Sequence, residues 1–138
     1  MFSKIYLDTA PLIYFLENNP RYALKVQGIL QSNFANNSKF TTSVITNIEY
    51  LPKPVQEGKY DLVAAYNALK KMLNIELIPV TEAVSMTAVK IRTKYPGIKV
   101  LDSIHLASAI HSGCDAFLTN DRQLKQVSEI QILYLEDF

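Results

Sequence analysis

Short apolar runs alternate with helix-periodic stretches along the whole chain. Runs at 4–7, 40–42, 76–78, 116–118 and 132–134 are short, apolar and bounded by turn residues, and read as strands. Between them the apolar positions recur at helical spacing. Strands alternating with helices predict βαβ units and a mostly parallel sheet, an α/β fold. Two of the apolar runs end alike. Ile5-Tyr6-Leu7 runs into Asp8-Thr9, and Phe117-Leu118 into Thr119-Asn120-Asp121. Ligands of open α/β sheets bind outside the carboxyl ends of strands, so Asp8 and Asp121 are candidates for one shared site.

The helix signals fix the remaining segments. A helix over 8–17 is opened by an Asp-Thr cap with Pro11 in its first turn. A second, over 21–36, places Leu24, Ile29 and Leu30 on an apolar stripe and breaks at Asn36-Asn37-Ser38. A short helix over 43–51 is predicted to end at Pro52 and Pro54. The stretch 60–73 carries Leu62, Tyr66, Leu69 and Leu73 at helical spacing. The stretch 82–94 is capped by Thr81 and stopped by Pro96-Gly97, and 102–112 is rich in small residues (Ala107, Ser108, Ala109) and ends at Gly113. A helix of small residues packs closely on a sheet, so its inward polar residues are expected to be buried or functional.

Composition narrows the class. The chain has 138 residues, 49% hydrophobic and 20% charged, which suits one globular domain over 1–138. A net charge of +1 commits it to no polyanion, although a local basic groove can sit on a neutral protein. Cys114 is the single cysteine, which excludes an intrachain disulfide and a cysteine zinc cage and suits a reducing cytosol. No apolar run approaches a membrane span and no secretory layout opens the chain, so a soluble cytoplasmic protein is expected.

Four acids stand out by position: Asp8, Glu49, Asp102 and Asp121. Each alone has an ordinary explanation. Asp8 and Asp121 can cap the helices after their strands, and Asp102 suits a helix dipole. Glu49 can be a solvated helix residue, but it follows Ile48 and lies one turn after Ile45, so it borders an apolar face. An unpaired carboxylate there is costly. Carboxylates sharing a cleft repel unless a cation neutralises them. An all-oxygen set without His or Cys suits Mg²⁺ or Mn²⁺, and such ions support phosphodiester hydrolysis.

These residues carry a family resemblance. The run Ile5-Tyr6-Leu7-Asp8-Thr9-Ala10-Pro11-Leu12-Ile13, the segment from Thr42-Ser43 to Glu49, the helix Leu101-Asp102-Ser103-Ile104-His105-Leu106-Ala107-Ser108-Ala109 and Leu118-Thr119-Asn120-Asp121 resemble the four motifs of the PIN domain, in the family's order and spacing. A stand-alone chain of this length is most similar to the VapC-type toxins of toxin–antitoxin pairs. The resemblance implies a five-stranded parallel sheet, order 3-2-1-4-5, with helices on both faces. It implies a ribonuclease dependent on Mg²⁺ or Mn²⁺, a homodimer, an RNA substrate and a small DNA-binding antitoxin as partner. It places Asp8, Glu49, Asp102 and Asp121 at the metal site as catalytic acids, with Thr9 and Thr119 beside them. The alternative with the same fold is a catalytically silent RNA- or protein-binding module. A phosphatase using Asp8 as nucleophile is disfavoured because Thr9-Ala10 follows, without a second Asp two residues on.

Arg122 directly follows a site acid and is expected to meet substrate phosphate, with Thr9 and Thr119 also counted as substrate-binding. Lys90, Arg92, Lys94 and Lys99 either line an RNA path or form a solvated helix face. His105, one turn after Asp102, is expected to be a partly buried helix residue with a local partner rather than a catalytic one. Asp115 is expected at the opposite sheet edge from Asp121, as a turn residue, and Cys114 as a small buried hydrophobe. Tyr14, Phe15 and Leu16 read as core, part of which can serve a dimer or antitoxin surface.

Overall fold

The computed structural model describes residues 2–138. Five strands, β1 (Lys4–Leu7), β2 (Lys39–Ser43), β3 (Glu76–Ile78), β4 (Ala116–Thr119) and β5 (Gln131–Tyr134), form one sheet of order β3-β2-β1-β4-β5. Every pairing is parallel. β1 lies at the centre, with Ile5 opposite Phe40 on one side and Ala116 on the other. The Asp8 amide extends the ladder to the Leu118 carbonyl at 3.0 Å, so the ends of β1 and β4 stand side by side.

Seven helices surround the sheet among the described residues: α1 (Thr9–Leu16), α2 (Ala23–Ala35), α3 (Ile45–Tyr50), α4 (Pro52–Gln56), α5 (Tyr60–Met72), α6 (Glu82–Lys94) and α7 (Val100–His111). The alternation of side chains along each strand divides the core. Ile5, Leu7, Ala116 and Leu118 pack with Leu12, Val26, Ile29 and Leu69 from α1, α2 and α5. Tyr6 and Phe117, one residue out of phase, pack with Ile91, Leu106 and Ala109 from α6 and α7. Both faces of the sheet are thereby covered, as a parallel sheet requires.

The expected elements are present with shifted ends. Pro52 and Pro54 do not stop the chain's helical course: Leu51 keeps helical backbone and Pro52 opens α4. Proline in a first turn loses only an N–H that has no partner there. Leu24 is 81% exposed, whereas Val26, Ile29 and Leu30 are buried. The apolar stripe of α2 is thus set by Val26 rather than Leu24. Helix α7 begins at Val100, two residues before the expected start, which places Asp102 in its first turn. Gly113 adopts φ 78° and ends that helix, a backbone shape that favours glycine.

At the amino-terminal edge Asp115 accepts the Ser3 and Lys4 amides, each at 2.9 Å, and fastens the start of β1 to the turn before β4. It lies at the edge opposite Asp121, as expected. Cys114 is half-buried, with its sulfur 3.1 Å from Thr41 Oγ1, so it is less enclosed than a core hydrophobe. Tyr14, Phe15 and Leu16 are partly buried against the core.

Candidate active site

At the carboxyl ends of the central strands lies a cleft of about 740 Å³, lined among others by Asp8, Thr9, Tyr14, Glu49, Lys99, Asp102, Asn120, Asp121, Arg122 and Tyr134. All four acids read from the sequence reach it. They come from four separate segments: the end of β1, α3, the first turn of α7, and the turn after β4. A cavity of about 770 Å³ at the opposite edge is lined by Lys4, Lys39 and mostly neutral side chains, with Glu76 its single acid.

Asp8 and Asp121 both cap, and both face the cleft. Asp8 Oδ1 accepts the Thr9 amide at 2.9 Å, while its Oδ2 accepts the Thr119 hydroxyl at 2.8 Å. Asp121 Oδ1 accepts the Gln123 amide at 3.0 Å, opening a 3-10 turn at Arg122–Gln126. The capping role and the site role therefore coexist in one side chain. Asp8 is buried, and burial pushes its carboxyl above the ordinary range, against the pull of His105 and two hydrogen bonds. Burial, with the charges of Asp8 and Asp121, pushes Asp102 up to about 6. Both shifts mark carboxylates crowded into a place that favours added positive charge.

Glu49 is held differently. Its Oε1 accepts Thr9 Oγ1 at 2.6 Å and stands 2.5 Å from His105 Nε2. The His105 bond, chiefly, holds the Glu49 carboxyl below its ordinary range. Thr46, on the same helix as Glu49, lies 2.7 Å from Thr42 Oγ1, whose proton goes to the Leu7 carbonyl. Thr46 must therefore donate to Thr42, by a count of available protons.

His105 departs most from expectation. It is 1% exposed, so it is fully rather than partly buried. Its partners are not local. Nδ1 meets Tyr6 Oη on β1 at 2.6 Å, and Nε2 meets Glu49 on α3. Burial alone lowers its pKa, but Glu49 and Asp8 more than offset that and the net shift is upward. The sequence signal for this was a polar residue on the inward face of a small-residue helix, and Tyr6 at the one inward position of β1 on that side.

Three further residues line the cleft; Lys99 is among the basic residues the sequence offers for an RNA path, whereas Tyr134 was passed over. Tyr134, on β5, joins the lining, as does Lys99 just before α7. Tyr14 reaches the cleft, where its hydroxyl accepts from Asn120 Nδ2 at 3.2 Å. The Asn120 Oδ1 is buried without a protein partner. Arg122 is exposed and lines the cleft. Lys94 pairs with Glu129 at 3.3 Å and Arg92 donates to the Ile98 carbonyl at 3.3 Å, so these two are engaged away from the cleft.

The donors around the cleft are all oxygen, which suits a hard divalent cation. The raised carboxyls of Asp8 and Asp102 fit such an ion, because its charge would offset their burial and, at Asp102, the neighbouring carboxylates as well. No group of three or more His, Cys, Asp or Glu among the described residues is already gathered closely enough to hold a metal.

The sequence model of the PIN domain family matches residues 5–130. Three solved structures share the fold. One is VapBC2 from Rickettsia felis bound to a promoter DNA fragment, with TM-score 0.78 and 16% identity, covering 95% of this chain and 98% of that one. A toxin–antitoxin complex from Klebsiella pneumoniae aligns with TM-score 0.66 and 17% identity over 94% and 95% of the two chains. DNA-bound VapBC from Salmonella typhimurium aligns with TM-score 0.70 and 18% identity over 96% and 98%. No curated protein matches the chain in sequence.

Proposed function

This chain belongs to the PIN domain family, and on that premise we propose that it is a Mg²⁺- or Mn²⁺-dependent endoribonuclease, the toxin of a VapBC-type toxin–antitoxin pair. The observation that carries the reading is the arrival of Asp8, Glu49, Asp102 and Asp121 from four segments at one cleft.

Asp8, Asp102 and Asp121 hold the ion, and Glu49 orients water or holds a second one. When bound, the ion supplies the positive charge that acidifies water and neutralises developing charge on phosphate and leaving oxygen. Thr119 keeps Asp8 oriented through its 2.8 Å hydrogen bond, and its Oγ1 accepts the Asp121 amide at 3.0 Å. Thr9 keeps Glu49 oriented in the same way. Arg122 and Lys99, on the lining of the cleft, meet the phosphates flanking the scissile bond. Tyr14 and Tyr134 give unpaired bases flat faces to stack on.

The partner is a small DNA-binding antitoxin, and the protein acts as a homodimer in the cytoplasm. Support for the antitoxin comes from the structures that share the fold, which are toxin–antitoxin complexes, two of them with DNA. No described helix is long and apolar enough to cross a membrane.

The deciding experiment is cleavage of a mixed pool of transfer and ribosomal RNA by purified protein with Mn²⁺, with EDTA, and with Asp8→Asn. Cleavage that needs both metal and Asp8 is the expected result. One observation favours a second reading, the catalytically silent binding module: the acids are not gathered into a cage. Calorimetry showing no Mn²⁺ binding to the folded protein would support that module instead.

A further inference from the structure

One fully buried titratable group beside the cleft has no part in the chemistry above. His105 sits on α7 with both ring nitrogens engaged by other elements: Tyr6 on β1 and Glu49 on α3. It does not reach the cleft itself. Its Nε2 stands 3.8 Å from Asp8 Oδ1, beyond hydrogen-bond range, and the ring is fully buried. Its hydrogen bond to the acids of the cleft is the one to Glu49, while Asp8 feels it through charge alone.

Proton counting fixes how. The Glu49 carboxylate offers only acceptor oxygens, and Thr9 already donates to Oε1. The Nε2 atom must then carry the proton of the 2.5 Å contact. In a neutral imidazole that leaves Nδ1 bare, and the Tyr6 hydroxyl donates to it. Burial keeps the Tyr6 phenol protonated, and Phe117 stacks on its ring at 5.0 Å and 7° between planes, so its hydroxyl has a fixed direction. Both hydrogen bonds to Glu49, from His105 and from Thr9, converge on Oε1. Its Oε2 has no protein partner among the described residues, and Glu49 lines the cleft.

We propose that Tyr6 and His105 are positioning residues: Tyr6 holds neutral His105 as the Nε2–H tautomer, and His105 with Thr9 pins Glu49 Oε1 so that Oε2 is presented to the cleft. This deepens, and rests on, the reading of the cleft as a hydrolytic site. It extends the site's working parts through the sheet, from the open edge to the side chains packed beneath α7.

The test has two arms. In the first, nitrogen-15 spectroscopy of the metal-free protein at alkaline pH reads the imidazole tautomer, with His111→Gln separating the two histidines. A protonated Nε2 and bare Nδ1 at His105 are expected in the wild type, and a mixed tautomer in Tyr6→Phe. A protonated Nδ1 in the neutral wild type overturns the proposal. In the second, folded Tyr6→Phe, confirmed by cooperative thermal unfolding, should lose about 10- to 100-fold in kcat or in Mn²⁺ affinity by calorimetry, with KM for RNA close to wild type. Wild-type kcat and wild-type Mn²⁺ affinity in that variant, or a change confined to KM, overturn the proposal as well. If the wild-type protein cleaves no RNA, the nuclease reading falls, whereas the spectroscopic and calorimetric arms still decide the role of Tyr6 and His105.

Discussion

Thr119 donates its hydroxyl to Asp8 Oδ2 at 2.8 Å and accepts the Asp121 amide on the same oxygen at 3.0 Å. One buried hydroxyl thus joins the two acids that end β1 and β4. Replacing it with valine keeps the volume but leaves Asp8 Oδ2 without its donor. Thr119→Val is expected to cost about 1–3 kcal/mol in stability by denaturant unfolding. RNA cleavage should fall at least tenfold, in the range seen when a ligand's supporting partner is removed. Thr119→Ser should retain most of both.

Asp102 makes the metal-free protein pH-sensitive. Its folded-state pKa of about 6 lies above its ordinary 3.8, so the folded chain binds the proton more tightly than the unfolded one. Stability from this group is therefore greatest below the unfolded value and declines as pH rises through about 6. Thermal unfolding in EDTA should show Tm falling between pH 4.5 and 7.5, with Mn²⁺ restoring the loss at the higher pH. Asp102→Asn should flatten the EDTA curve, raise Tm at neutral pH and abolish cleavage. A Tm in EDTA unaffected by Asp102→Asn at pH 7.5 would contradict the crowding of charge at this position.

Asp8→Asn tests the cost of burying a carboxyl beside the same cleft. The variant should unfold at a Tm no lower than wild type, since a buried carboxyl with a raised pKa is replaced by a neutral amide. It should also lose cleavage by about 100-fold or more. A large drop in Tm would instead make Asp8 chiefly a structural cap.

Arg122 is an exposed rim residue, so its effect should appear in binding rather than turnover. Arg122→Gln is expected to raise KM for RNA with kcat nearly unchanged, and to reduce the salt dependence of RNA binding by about one unit of slope. Fluorescence anisotropy over a salt series checks this.

Gly113 lies at the far edge of the sheet with φ 78°, and a Cβ there would meet no atom within 4 Å. Gly113→Ala therefore isolates backbone strain. It should cost about 1–2 kcal/mol and leave cleavage unchanged.

The strand order was legible because the apolar runs are short, evenly spaced and separated by helical periodicity. Three of the four site acids announced themselves through their place after a strand or at the start of the small-residue helix. Element ends were less legible. Pro52 and Pro54 read as stops because proline ends helices in general, yet a first-turn position tolerates them. Leu24 read as core because spacing alone does not tell which side of a helix start meets the sheet. His105 was underread for a physical reason. Its partners, Tyr6 and Glu49, lie 99 and 56 residues away in the chain, and no local pattern encodes a contact between elements brought together only by the sheet.

The central position of β1 has a consequence for synthesis. Ile5 pairs with both Phe40 and Ala116, so the first strand made waits for one of its two neighbours until most of the chain has been translated. A nascent chain that has emerged through α6 already carries Asp8 and Glu49, but not Asp102, Asp121 or the β4 hydroxyl that orients Asp8. Long-range parallel pairing of this kind forms late. The cleft is therefore complete only when the polypeptide is nearly finished, a delay built into the order of the strands.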